Sequence, residues 1–282
     1  MSRLTALVPA EVCAAALGRR WPDDLDGRVR CIDEGTRTLG LAYCCAPWSV
    51  QAEDYALRAE TGARISLEGG RGSFGPLDDV AAGLARTPAA PPVVGVVSGP
   101  LGWSVRHAAS PGRAAGVAVA GALDAASDLA AADALDAASD LAAARIHELA
   151  SCGAERVAVV EQIDGGRWLD ATLAAEMHRP ILRAADHLRV DLVLVAIGQG
   201  AGAVPPGTLG YSSWVSPDGC SGGLAFLPSA AAESSEALDR CLDRLGTDSE
   251  PGEVITGPLD DSVSPDLLRR ASRLLSGEVA RP

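Results

Sequence analysis

The chain has 282 residues, of which 48% are hydrophobic and only 4% aromatic, enough apolar material for one large core of small aliphatic side chains. It carries 24 basic residues, all arginine, against 37 acidic ones, with a formal charge of −13 and a pI near 4.7. With no positive cluster to neutralise phosphates, nucleic acid is excluded as a partner, and the acidic surface reads as a solubility feature.

The N-terminus lacks the apolar core of a signal peptide, and no run approaches the ~20 apolar residues of a membrane span. A soluble, cytoplasmic protein with no membrane partner is expected. Seven cysteines, an odd number without regular spacing, read as reduced thiols.

In chain order, residues 7–38 read as largely helical, with a break at Trp21-Pro22. Leu39–Pro47 reads as a strand, 50–60 as a short helix, and Ala63–Glu68 as a strand leading into Gly69-Gly70-Arg71-Gly72. Asp78–Ala85 is helical and 87–92 is a linker. Apolar runs, the first three rich in valine, then follow at 93–100, 156–162, 191–199, 209–214, 223–228 and 253–258. Such runs suit strands buried on both faces, as in a parallel sheet. Helices separate several of them, and the βαβα order closes most simply into one (β/α)8 TIM barrel over 1–282, with no domain boundary.

The long helical stretch 114–148 contains a duplication. Ala122–Asp133 (ALDAASDLAAAD) returns as Ala134–Arg145 (ALDAASDLAAAR), differing only in its last residue. Two copies of twelve are too few and too short for a solenoid. The repeat reads as a helix lengthened by roughly 18 Å, or as a protruding helix used for dimerisation.

The barrel rule places chemistry at the C-terminal strand ends. Glu161 and Asp164, at the end of the 156–162 run, are the candidate acid–base pair, one carboxyl kept protonated by burial and the other ionised. The alternative reading makes Glu161 a hydrogen-bonded core residue and Asp164 a turn cap. Ser98 and the amides around Gly99 are candidates to bind an anionic group. Tyr43, Trp103 and Trp214 are candidates for an apolar wall, and Gln199, Ser213 and Asp260 for neutral or acidic ligand contacts. His107, His147, His178 and His187 fall in or beside helices, so no zinc site is expected. No cofactor is called for. Cys44 and Cys45 are adjacent, and strand alternation sends them to opposite faces.

Several stretches resemble the superfamily of uroporphyrinogen decarboxylases, cobalamin-linked methyltransferases and cobalamin-independent methionine synthases. Ser98-Gly99-Pro100-Leu101 is similar to the family's Gly-Pro turn after a strand, and Leu149–Ala154 with Val157–Gln162 to its helix-to-strand step. Tyr211-Ser212-Ser213-Trp214 sits where decarboxylases carry a Leu-Asp-Trp strand end. Ile255-Thr256-Gly257-Pro258, followed by Ser264–Leu268, is similar to the last strand and its helix. The resemblance implies a TIM barrel that decarboxylates or transfers methyl groups, with dimers formed through the barrel face, so a homodimer is one expected assembly. The chain departs from that pattern at Tyr43-Cys44-Cys45-Ala46-Pro47, where decarboxylases keep their catalytic aspartate. It also lacks a histidine at Thr256-Gly257-Pro258 and a zinc ligand at Val195–Gln199. Uroporphyrinogen is therefore not the expected substrate. The expectation is lyase or decarboxylase-type acid–base chemistry on a small organic molecule. The alternatives are methyl transfer at a non-standard metal site using Cys44, Cys45 or Cys220, and a non-catalytic ligand-binding barrel.

Overall fold

The computed structural model describes residues 2–48, 75–100, 129–162, 171–197, 209–216, 219–245 and 252–278. The elements in chain order are β1 (Arg3–Thr5), α1 (Ala10–Ala16), α2 (Leu25–Leu39), β2 (Cys44–Cys45), α3 (Gly75–Arg86) and β3 (Val93–Ser98). There follow α4 (Leu129–Ser151), β4 (Arg156–Gln162), α5 (Ala171–Leu188), β5 (Asp191–Ile197), β6 (Ser213–Ser216), β7 (Gly219–Cys220) and β8 (Leu224–Leu227). A 3-10 turn (Ser229–Ala232), α6 (Ser235–Leu245), β9 (Glu253–Thr256) and α7 (Pro265–Ser276) complete the described chain.

The strands form two sheets. One runs β2-β3-β4-β5-β6-β7 and the other β1-β9-β8, parallel throughout except where β7 turns back on β6. This is an α/β fold built from parallel sheets. Every residue of β3 is buried, as expected of a strand covered on both faces.

Register separates the two faces. Val94 pairs with Arg156 and Arg156 with Asp191, so these three share one face; Gly95, Val157 and Leu192 share the other. The second face is the one helices cover. A Cβ on Gly95 would lie 2.7 Å from Leu149 Cδ1, so glycine lets α4 settle close onto β3.

The first face looks toward the other sheet. Arg156, at the start of β4, donates from Nη1 to both oxygens of Glu253 at the start of β9, at 2.7 and 2.8 Å. Its Nε donates to Asp191 at 2.6 Å, and its guanidinium lies 4.8 Å from the Tyr43 ring centroid. The Thr5 hydroxyl joins the same Glu253 carboxylate. This cluster ties the sheets together at the N-terminal ends of their strands. The sheets also meet at their edges: Ala42 N–H, beside β2, donates to Leu4 O of β1 at 2.8 Å, and β8 lies against β6 and β7.

The outer helices explain themselves locally. Asp24 caps α2 by accepting from Gly27 N–H at 2.7 Å, and Gly40, at φ 69°, ends it in a left-handed turn. α1 and α2 cross where Gly35 meets Cys13; a Cβ there would lie 2.5 Å from Cys13 Cβ. In α7, Leu268, Ala271, Leu274 and Leu275 are buried on one stripe, and the helix packs on β1 and α2.

Several predicted spans shift. The helical region 7–38 is two helices broken over 17–24 and preceded by β1, which is too short to show a period. The strand predicted at 39–47 shrinks to two residues, because Leu39 still belongs to α2 and Gly40 must turn the chain. The run 209–214 becomes a strand only from Ser213. The spans 50–60, 63–68 and 114–128 lie outside the described residues. The second repeat copy lies wholly within α4, and its final residue, Arg145, is buried against Asp78 of α3 at 2.6 Å and Glu148 at 2.9 Å. Among the described residues, no helix is long and apolar enough to cross a membrane.

Candidate functional site

Around β3, β4 and β5 the described turns lie at the N-terminal ends of the strands and are short, from Arg86 to Val93, Ser151 to Arg156 and Leu188 to Asp191. Most residues that follow the C-terminal ends of β2, β3, β4 and β5 lie outside the described residues. In parallel α/β folds, binding and catalytic residues sit disproportionately at the C-terminal strand ends.

Ser98 closes β3 and pairs with Val160, which shares the Arg156 face by alternation, so Ser98 belongs to the face between the sheets. It is buried at the C-terminal end. Glu161 lies on the opposite, helix-covered face. Its side chain is withdrawn from solvent, and Oε1 lies 3.1 Å from Nε2 of an equally buried His178 on α5. The approach is off the imidazole N–H direction, which makes the contact more electrostatic than an aligned hydrogen bond. On the far side, His178 Nδ1 lies 2.9 Å from the hydroxyl of buried Tyr211, and the two rings meet edge to face.

Glu161 also explains Gly99. Any Cβ there would collide with the Glu161 carboxylate, so only glycine allows it to lie over this turn. The Gly99 amide is already donated to Val160 O at 2.8 Å. At Ser98-Gly99, therefore, the Gly99 amide is occupied and a carboxyl group lies over the turn. Alternation from the inward Arg156 turns Glu161 toward α5.

The other candidates are dispersed. Tyr43 stacks on Arg156 at the N-terminal end of the strands, and burial pushes its phenol pKa up. Ser213 and Trp214 open β6 beside Val193 and Leu194; the residue that closes that strand is buried Ser216. Asp260 is exposed in a tight turn, where the Ser262 hydroxyl and backbone amide donate to its carboxylate and lower its pKa. Asp164, Trp103 and Gln199 lie outside the described residues.

The cysteines do not form a thiolate centre. Cys44 pairs with Val93 and Cys45 with Val94, so the two thiols do point to opposite faces. Burial pushes them up to about 11 and about 12 respectively, and Cys13 to about 12. Cys220 is exposed on β7. Among the described residues, no three His, Cys, Asp or Glu side chains are arranged to hold a metal ion.

His178 and Tyr211 were not anticipated. The signal was present for the histidine: Ala174, Met177, Ile181 and Ala185 form the buried stripe of α5, and His178 falls on it. Tyr211 carried no such mark, since it precedes its strand.

No protein-family model matches the chain, and no curated protein is significantly similar to it. Among solved structures, the trigonal form of 2,3-dimethylmalate lyase, a PEP mutase/isocitrate lyase superfamily member, is 10% identical, covering 96% of this chain and 70% of its own at a TM-score of 0.35. The triclinic form is 11% identical, covering 98% and 91% at 0.36. Oxaloacetate acetylhydrolase in complex with oxalate is 10% identical, covering 96% and 73% at 0.38. The resemblance to uroporphyrinogen decarboxylases and methionine synthases is thereby corrected. Its motifs are turns that many parallel strand–helix units share, and Tyr211-Ser212-Ser213-Trp214 leads into a strand instead of ending one. At this degree of superposition the likeness assigns no activity.

Proposed function

We propose that the chain is an enzyme acting on a small organic molecule by lyase-type acid–base chemistry, at the C-terminal ends of its parallel strands. The parallel pairing carries this reading: in parallel α/β folds, ligands meet the C-terminal strand ends, and here the opposite ends of β3, β4 and β5 are closed by short turns. Within their sheets, eight of the described strands, all but β7, run parallel to a neighbour. We read them, with the edge contacts of β1 with β2 and β8 with β6, as a (β/α)8 barrel. The Arg156–Glu253 cluster seals one end in that reading, and the ligand enters at the other.

Abstracting a proton beside a carbonyl, or returning one to a carbanion after carbon–carbon cleavage, needs a single positioned carboxylate. Asp164, two residues beyond β4, is that group in this reading, and Ser98 offers a hydroxyl on the inner face. Glu161 supports the strand end without touching substrate. The test is incubation in D2O with a panel of small carbonyl and carboxylate compounds, followed by proton NMR. Solvent exchange or cleavage of at least one compound, reduced ~10²–10⁴-fold in Asp164→Asn, supports the reading.

A ligand-binding barrel without turnover is favoured by one observation, the turning of Glu161 away from the inner face. Saturable binding of a panel member with neither exchange nor cleavage selects that second reading.

A further inference from the structure

The line Glu161–His178–Tyr211 takes no part in the chemistry proposed above, yet it places three ionisable groups in a dry layer where leucine would pack at less desolvation cost. We infer that His178 is a positioning residue: its protonated Nε2 edge, in electrostatic contact with the Glu161 carboxylate, holds that group over the Cα of Gly99 and fixes the turn that leaves β3, while Tyr211 sets the imidazole tautomer from the other side. The inference rests on the strand ends being the working face.

The argument starts at the tyrosine. Burial, and then the nearby Glu161 charge, push the Tyr211 phenol well above its ordinary value, so it keeps its proton. A buried hydroxyl proton needs an acceptor, and among the described residues Tyr211 meets His178 Nδ1. Nδ1 must then be bare, which leaves the proton of a neutral imidazole on Nε2, facing Glu161 Oε1 at 3.1 Å. The carboxylate so held lies against Gly99, whose amide is donated to Val160. One line of contacts thus joins β4, α5, the segment before β6 and the first turn beyond β3. A catalytic triad of Tyr, His and Glu is not the right description. A reactive tyrosine would need a depressed pKa and access to a ligand, and Tyr211 is buried with its pKa raised.

Two measurements on the intact chain test this without any substrate, so they can fail independently of the catalytic reading. The first is 15N imidazole NMR. The His178 signals are expected to show a protonated Nε2 and a bare Nδ1, with Tyr211→Phe moving the Nδ1 resonance and Glu161→Gln the Nε2 resonance. A proton on Nδ1 overturns the inference. The second is amide exchange at Gly99, with Val195 of β5 as the internal reference. His178→Asn keeps a group near Nδ1 but loses the Nε2 edge, and is expected to speed Gly99 exchange about tenfold, the loss of one buried polar contact. His178→Gln, whose amide nitrogen reaches the Nε2 position, is expected to restore it. Equal acceleration at Val195, or none at Gly99, overturns the positioning role. Should His178→Asn fail to fold, Tyr211→Phe removes a single oxygen and leaves the tautomer test intact.

Discussion

Arg145 of α4 lies 2.6 Å from Asp78 of α3, and it is the one position at which the two twelve-residue copies differ. In the first copy that position is Asp133. The duplicated sequence therefore offers two nearly identical segments, and a single buried charge distinguishes the copy that packs on α3. With its side chain only 5% exposed, Arg145 is paired on both sides, by Asp78 and Glu148.

Two deletions isolate that charge. Removing 122–133 leaves one copy ending in Arg145; removing 134–145 leaves one ending in Asp133 before Ile146. The two shortened chains then differ at one residue. The second is expected to be less stable by about 3–5 kcal/mol in urea unfolding, because Asp78 and Glu148 lose a buried partner and gain a like charge. Equal midpoints would show that Arg145 does not hold α4 to α3.

The Arg156–Glu253 pair should behave as a buried ion pair between the sheets, with side chains 14% and 16% exposed. Arg156→Met alone is expected to cost about 3–5 kcal/mol by stranding the Glu253 carboxylate. Adding Glu253→Gln should recover much of that loss, a coupling that a double-mutant cycle would read directly. Additive losses would mean that the two groups do not interact.

Parts of this architecture were plain in the residues. β3, β4 and β5 announced themselves because each is apolar on both faces. β1 did not, since three residues cannot display a period, and β2 was legible only inside the longer run 39–47. Leu209 and Tyr211 looked like strand residues, but they are buried ahead of the strand; neighbouring Gly210 lies against Leu182 of α5, where a Cβ would be 3.1 Å from Leu182 Cδ1. Glu161 was found as a strand-end carboxylate, yet its direction depends on register. Only the inward Arg156, five residues earlier, reveals that Glu161 must face the helices. His178 was passed over because histidine on an apolar stripe looks like a core residue until its two partners, far apart in sequence, are brought beside it.

The buried thiols give a pH dependence with a definite sign. Cys13, Cys44 and Cys45 hold their protons to about 12, 11 and 12, against 9.0 for an unperturbed thiol. The unfolded chain therefore ionises first. Their contribution is fully present below pH 9 and is lost as pH rises from there through the folded values, so stability should fall along that limb. Cys45→Ala should flatten the alkaline fall in a thermal-melt series. An unchanged slope would contradict the raised thiol.

Reaction with a disulfide reagent at pH 8 should sort the same cysteines. Exposed Cys220 is expected to react at once, while Cys13, Cys44 and Cys45 wait for unfolding. Rapid native-state labelling of Cys44 or Cys45 would reopen a thiolate role that their burial argues against.

Gly99→Ala should destabilise the chain by about 1–3 kcal/mol, because the new methyl meets the Glu161 carboxylate. In an Glu161→Ala background the same change should cost far less, since the overlap is gone. A penalty that is the same in both backgrounds would mean that Glu161 does not constrain this turn.

The most direct test of the account is to map where a ligand binds. With any compound that the D2O panel identifies, amide shifts in a titration should concentrate at Ser98, Gly99, Ile197 and Gly257, at the C-terminal strand ends. Arg3, Arg156, Asp191 and Glu253, at the other end, should stay unmoved. Perturbations centred on Arg156 and Glu253 would contradict the assignment of the working face.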